Sequence, residues 1–272
     1  MFRSKIPTLV ITKEHGSWAV LLVPMLVSIC VVRRWSVDVC FAVLAALGVF
    51  LSYVPAQLLL RHHSGHAQKD EKLHQARFWI AVYIMTTGVF TAPLLLKGDD
   101  LLLAIGAAGT ILFLGNFFLV KQYSRTIATD LIAVAGLTLS GPSVYYVLTG
   151  TIDKTALSLY GLNLLFFGSS VFYVHMKIHA SASKRPEMTW GEKLSLGKAN
   201  LAYHASVIAV AAAFVVLHFT PAVALAAFLP MLVHAVYGTL NLTAKVNFKR
   251  IGLLLLGQSI LFALLVSFSF RK

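Results

Sequence analysis

Residues 251–270, IGLLLLGQSILFALLVSFSF, run for 20 positions without a charged side chain. At 1.5 Å of rise per residue, about 20 helical residues cross a hydrocarbon core of about 30 Å. No water reaches that core to satisfy backbone N–H and C=O groups, so only a helix or a closed barrel can span it. A barrel strand would alternate apolar and polar residues over about 10 positions, and this stretch does not alternate. It is predicted to be a membrane-spanning helix.

The same reading extends to eight further blocks at about 17–32, 37–60, 78–96, 101–120, 126–148, 155–176, 200–218 and 221–241. Their boundaries carry an error of about two to four residues, and the turn at Thr220-Pro221 is the thinnest of the divisions. The whole chain, 58% hydrophobic and 12% charged, has far less charge than the roughly 25% of a soluble domain. The expected fold class is therefore an all-α polytopic transmembrane bundle of about nine spans, forming a single integral membrane domain over residues 1–272. Two long connections are expected, 61–77 and about 177–199, with tight turns elsewhere.

The net charge of +13 does not point to nucleic acid as a partner. Nucleic-acid binders gather basic residues on one soluble face, whereas these sit between apolar blocks. Of the 23 Lys and Arg residues, 17 fall on the side of the N-terminus and 6 on the other. That asymmetry over short loops predicts an N-terminus inside and a C-terminus outside. Cys30 and Cys40 lie in the first two blocks and show no metal-ligand spacing. The first block ends in Arg33-Arg34-Trp35 rather than at a small-residue cleavage site, so it reads as a span. Trp18, Trp35, Trp79 and Trp190 fall near predicted ends or in a loop, where amphipathic rings anchor.

Ionisable groups inside a bilayer are costly and are candidates for function. Asp130, about one turn into the fifth span, is read either as a proton-handling or head-group-binding carboxylate, or as a helix-start acid paired with Lys121 or Arg125. Lys13, Glu14 and His15 open the first span ahead of Gly16, Ser17 and Trp18. A topogenic signal needs only the cation, so the Glu-His pair reads as a site as readily as a helix cap. Arg61, His62, His63 and His66, followed by Lys69, close the second span. His175 and His179, around Lys177, share one face of the sixth by their i, i+4 spacing. These groups are read as a basic cradle for phosphate, as histidines spaced to bind a transition metal, or as loop residues with no ligand; no HExxH glutamate accompanies them, and no metal is assigned. His204, His218 and His234, with Asn116, Asn163, Gln57, Tyr145 and Tyr146, are read as interhelical hydrogen bonds. Ser140, Gly141 and Pro142 mark a bend or a close helix approach.

Three stretches carry a resemblance: KEHGSWAVLLVP at 13–24, DLIAVAGLTLSGPSVYYVLTG at 130–150 and FGSSVFYVHMKIH at 167–179. Together they resemble the YwiC-like family of bacterial membrane proteins, which implies the cytoplasmic (inner) membrane. The nine spans, and long connections after the second and sixth, more distantly resemble the UbiA superfamily of intramembrane prenyltransferases. That resemblance implies a helical ring around a lipid-accessible cavity, with Asp-rich motifs holding diphosphate through Mg²⁺. Here the corresponding segments read SYVPAQLLLRHHSGH at 52–66 and SSVFYVHMKIHAS at 169–181, without an aspartate. Mg²⁺ requires oxygen ligands, so prenyl transfer through that metal is not expected.

The resemblance thus implies a protein that binds membrane lipid, such as a polyprenyl phosphate or a quinone, with or without a divergent transferase activity. Its head-group contacts would be Arg61, His62, His66, Lys69, His175, Lys177 and His179, with Lys13, Glu14, His15 and Asp130 at the same mouth. Two alternatives stay open: a small-solute transporter, and a non-catalytic partner of a membrane complex handling haem or quinone. No cofactor is assigned.

Overall fold

The computed structural model describes residues 10–12, 15–63, 70–123, 126–183 and 187–271, and every regular element among them is helical. In order these are α1 His15–Val32, α2 Val37–His63, α3 Asp70–Leu96, α4 Leu101–Tyr123, α5 Ile127–Thr138, α6 Ser140–Thr149, α7 Lys154–Ser181 and α8 Trp190–Val216. A 3-10 turn, Ala222–Phe228, then leads into α9 Leu229–Leu240, and α10 is Phe248–Ser269. Taking α5 with α6, and the 3-10 turn with α9, eight segments are long and apolar enough to cross a membrane. The apolar part of α1, Gly16–Val32, is the shorter ninth. The chain is an all-α, multi-pass membrane protein.

Contacts at the helix ends show the alternation of direction. At one end Lys97 after α3 meets Asp38 at the start of α2, Nζ to Oδ1 2.6 Å. Near that end the Tyr145 hydroxyl of α6 donates to Asp153, which caps α7. At the other end His175 of α7 meets Asp130 of α5, and Lys193 of α8 donates to the carbonyl of Leu240 in α9. This second end, where most of the described Lys and Arg residues lie, is called the basic end below; the first is the far end.

Helix α7 is the axis of the bundle: 56% of its apolar window is buried, against 11% for α3 and for α4. Around it pack α5, α6, α8 and α9, while α1 bridges from α6 to α10. Phe166 of α7 stacks on Phe262 of α10 at 4.1 Å between centroids, and Phe228 meets Phe262 edge-on. Aromatic pairs in such geometries add to the burial of their area. The α2–α3 hairpin lies outside this core, joined through Leu21 and Met25 of α1, Phe50 of α2 and Val144 of α6. Exposed Ile84 and Val89 on α3 and Ile111 and Phe118 on α4 give these helices the apolar outer faces that lipid accepts.

Two spans are broken, each at a proline. Pro142 has no N–H to return to the carbonyl of Thr138, so the fifth span divides at Leu139. The Leu139 N–H turns back to Gly136 instead, and the Thr138 hydroxyl donates to the carbonyl of Val134. Helix α1 fills the joint: Ser140 donates to the carbonyl of Leu21 at 2.7 Å, and Ser28 to that of Gly141 at 2.9 Å. A Cβ on Gly141 would stand 3.0 Å from Cβ of Pro24, so the glycine is what lets α1 come this close. The bend and the close approach expected at Ser140-Gly141-Pro142 are both present. In the eighth span Pro230 sits in the first turn of α9, and the segment before it runs as a 3-10 turn.

Three expectations need correcting. The connection at 61–77 is mostly helix: α2 runs on to His63 and α3 starts at Asp70, where Asp70 and Glu71 favour the positive end of the helix dipole. Likewise α8 starts at Trp190, ten residues before its apolar block, because Thr189 and Glu192 cap each other's backbone N–H groups. At 27 residues each, α3 and α8 are about 40 Å long and exceed the hydrocarbon thickness. Finally, His218 is not within a span; it lies exposed in the turn after α8 with φ of 56°.

Candidate functional site

Helix α5 begins at a reciprocal cap, Thr126 with Thr129, which places Asp130 on the next residue, still inside the first turn. Helix α7 packs against α5 and brings His175 to it. The His175 Nε2 lies 2.9 Å from Asp130 Oδ2, with the side chains only 13% and 20% exposed. The carboxylate can only accept, so the imidazole donates this hydrogen bond from Nε2–H. His179 follows one turn outward on α7, its ring 6.4 Å from that of His175, and is exposed. The side chains of Lys121 and Arg125, the loop cations that the sequence offers Asp130, lie outside the described residues; its partner among those described is His175, 45 residues away.

The remaining expected residues that the structure describes lie on other helices or on another face of α7. Arg61 is exposed near the end of α2, as are Lys72, His74 and Arg77 in the first turns of α3. His62 is partly buried one residue on. Lys177 turns the other way: two residues along a helix correspond to a rotation of about 200°. Its side chain is buried, its Nζ donates to the carbonyl of Gly238 in α9 at 2.9 Å, and its charge lies 5.3 Å from the Tyr173 ring centroid. His15 opens α1. Lys13, Glu14, His66 and Lys69 fall outside the described residues. Among those described, no group of three or more His, Cys, Asp or Glu side chains is placed to hold a metal ion.

Helices α7 to α10 also enclose a polar cluster that the sequence reading did not assemble. Tyr173 and Lys177 of α7 meet His234 and Gly238 of α9; the Tyr173 and His234 rings are 4.4 Å apart. His234 Nδ1 reaches Gln258 of α10 at 3.3 Å, the interhelical bond expected of it. His204 instead bonds within its own helix, to the carbonyl of Asn200 at 2.7 Å. Asn200 donates across to Thr239 and to the carbonyl of Ala235. The signal for this cluster was present as repeated four-residue spacings, 173 with 177, 200 with 204 and 234 with 238, each placing two polar or small residues on one helical face. At the far end a hollow of about 370 Å³ lies among Val32, Arg34, Tyr145, Thr149, Thr155 and Phe270.

Outside the spans, the Asp99 carboxyl in the turn between α3 and α4 is raised above its ordinary value. Burial is the main cause and the neighbouring Asp38 carboxylate adds to it, with Lys97 opposing.

Residues 11–145 match the family model described as YwiC-like protein, and through them the chain belongs to that family. The match takes in Gly16-Ser17-Trp18 of the first quoted stretch and the fifth span as far as Tyr145, so it includes Asp130. His175 and the α7–α10 cluster lie beyond it. Neither a curated protein nor a solved structure matches the chain.

Proposed function

We propose that this member of the YwiC-like family is a proton-coupled permease for a small solute, with Asp130 and His175 as the group that carries the proton. The observation behind this reading is the 2.9 Å contact between the two, largely buried at the basic end of adjacent membrane helices. Ionisable pairs at such depth are typical of proton relays in pumps and transporters. The fifth span supports the same reading. It carries Asp130 at one end, lines the 370 Å³ hollow with Tyr145 and Thr149 at the other, and is broken between them at Leu139. Discontinuous helices of this kind accommodate alternating access. The excess of Lys and Arg at the basic end argues that this end faces the cytoplasm of a bacterial inner membrane.

A pH step applied to proteoliposomes on a solid support tests the reading before the solute is known. Wild type should give a transient charge displacement, and Asp130→Asn should lose it. If wild type gives none, the proton role fails.

One observation favours a second reading. Exposed Arg61 near the end of α2 and exposed Lys72 and Arg77 in the first turns of α3 lie toward the basic end of these two helices, where cationic side chains meet anionic head groups. A polyprenyl phosphate or another anionic lipid would dock there without Mg²⁺. Mass spectrometry of copurifying lipid should then show less phosphate-bearing lipid on Arg61→Ala with Arg77→Ala, and equal retention would remove this reading.

A further inference from the structure

From Lys193 to Lys272 the sequence contains no aspartate and no glutamate. Beyond Glu192, whose carboxylate caps the first turn of α8, helices α8, α9 and α10 therefore bring no carboxylate into the bundle, although they help to enclose an ammonium group. Lys177 is 9% exposed and donates to the carbonyl of Gly238. Among the described residues the ion pairs are Asp38 with Lys97 and Asp130 with His175, and none includes Lys177. A buried cation is unfavourable unless an opposite charge or further hydrogen bonds compensate it.

One turn deeper on the same face of α7, Tyr173 walls a cavity together with His204, His234, Met231 and Gln258. Its volume is about 10 Å³, room for about one water molecule or an ion of similar size. The tautomers of both histidines follow from their partners. The Asn200 carbonyl can only accept, so His204 donates from Nδ1. The Gln258 oxygen likewise accepts from Nδ1 of His234, while its amide nitrogen donates to the carbonyl of Pro230. Neither Nε2 is bonded to a described residue. Each is an acceptor while its ring is neutral and becomes a donor once the ring is protonated.

We propose that this cavity binds a small monovalent anion of about halide size, compensated by Lys177 and hydrogen-bonded by an Nε2–H that His204 or His234 gains as the anion enters. One ammonium matches one monovalent charge, and the small volume excludes large organic anions. The titratable groups that line the cavity are Tyr173 from α7, His204 from α8 and His234 from α9, with Lys177 one turn outward on α7 and its charge 5.3 Å from the Tyr173 ring centroid. Helix α10 contributes the uncharged Gln258. With no carboxylate opposing, anion binding strengthens as pH falls through the range where imidazole gains its proton. This site does not depend on the Asp130–His175 reading.

The test is the thermal unfolding midpoint of the full chain in detergent, at constant ionic strength, with chloride exchanged for gluconate at pH 5.5 and 7.5. A ligand that binds only the folded state raises the midpoint. Chloride should raise it by several degrees in wild type, more at pH 5.5. Lys177→Gln should abolish the difference, His204→Gln and His234→Gln should each reduce its pH dependence, and Asp130→Asn should keep it. If Lys177→Gln does not fold, the two histidine variants decide. A wild-type midpoint indifferent to the exchange, or a response unchanged in the histidine variants, overturns the proposal. An unchanged response would mark a general salt effect with only water in the cavity.

Discussion

His175 and Lys177 are two residues apart yet do unrelated things, because the helix turns one toward α5 and the other toward α9. The sequence grouped them at one mouth by chain position. Their separation was implicit in the helical period, but only the packing of α7 reveals that both of its faces are covered. Gly238 gives a prediction at this scale. A Cβ there would stand 2.5 Å from the Tyr173 ring, so Gly238→Ala should push α9 from α7. The expected loss is about 1–3 kcal/mol, seen as a lower unfolding midpoint in detergent. Asp99 gives another, with its sign set by linkage. Its carboxyl is raised in the folded protein, so ionisation opposes folding once the pH passes the unfolded value of about 3.9. Asp99→Asn should therefore unfold at a slightly higher temperature at neutral pH, and the difference from wild type should vanish below about pH 4. A gap that persists in acid would refute this sign.

At the scale of elements, apolar blocks mark what lies in hydrocarbon and say nothing of how far a helix continues into water. That is why the eight long apolar segments and the shorter α1 were legible in the sequence while the starts of α3 and α8 were not. The first turns of both helices are polar, and caps rather than hydrophobicity stabilise them. Thr189→Ala should fray the start of α8, costing about 1 kcal/mol, measurable as faster amide exchange over the residues following Trp190. The break in the fifth span was legible from Pro142, but its closure by Ser28 and Ser140 of α1 required the three-dimensional contact. Gly141→Val should force α1 away from α6 and, if the break serves alternating access, abolish the pH-step response while leaving Asp130 and His175 in place.

For the whole molecule, the arrangement is an α7-centred core with the α2–α3 hairpin and α4 at its periphery. Three apolar segments, α3, α4 and α5 with α6, separate Arg61 from Lys154 and place the two at opposite ends of the bundle. With Cys30 and Cys40 replaced by alanine, Lys154→Cys should react with an impermeant thiol reagent in intact cells and Arg61→Cys should not. The reverse pattern would invert the molecule. The YwiC-like match ends at Tyr145, so it contains one member of the proton pair and leaves the other to the second half of the chain. The Asp130–His175 contact thus joins the two halves of the chain, and neither half of the sequence displays it alone. A reciprocal exchange addresses that contact directly: Asp130→His and His175→Asp, singly and together, in the proteoliposome pH-step measurement. The expected result is no charge displacement in either single variant and its partial return in the double variant. Wild-type displacement in either single variant would contradict the account.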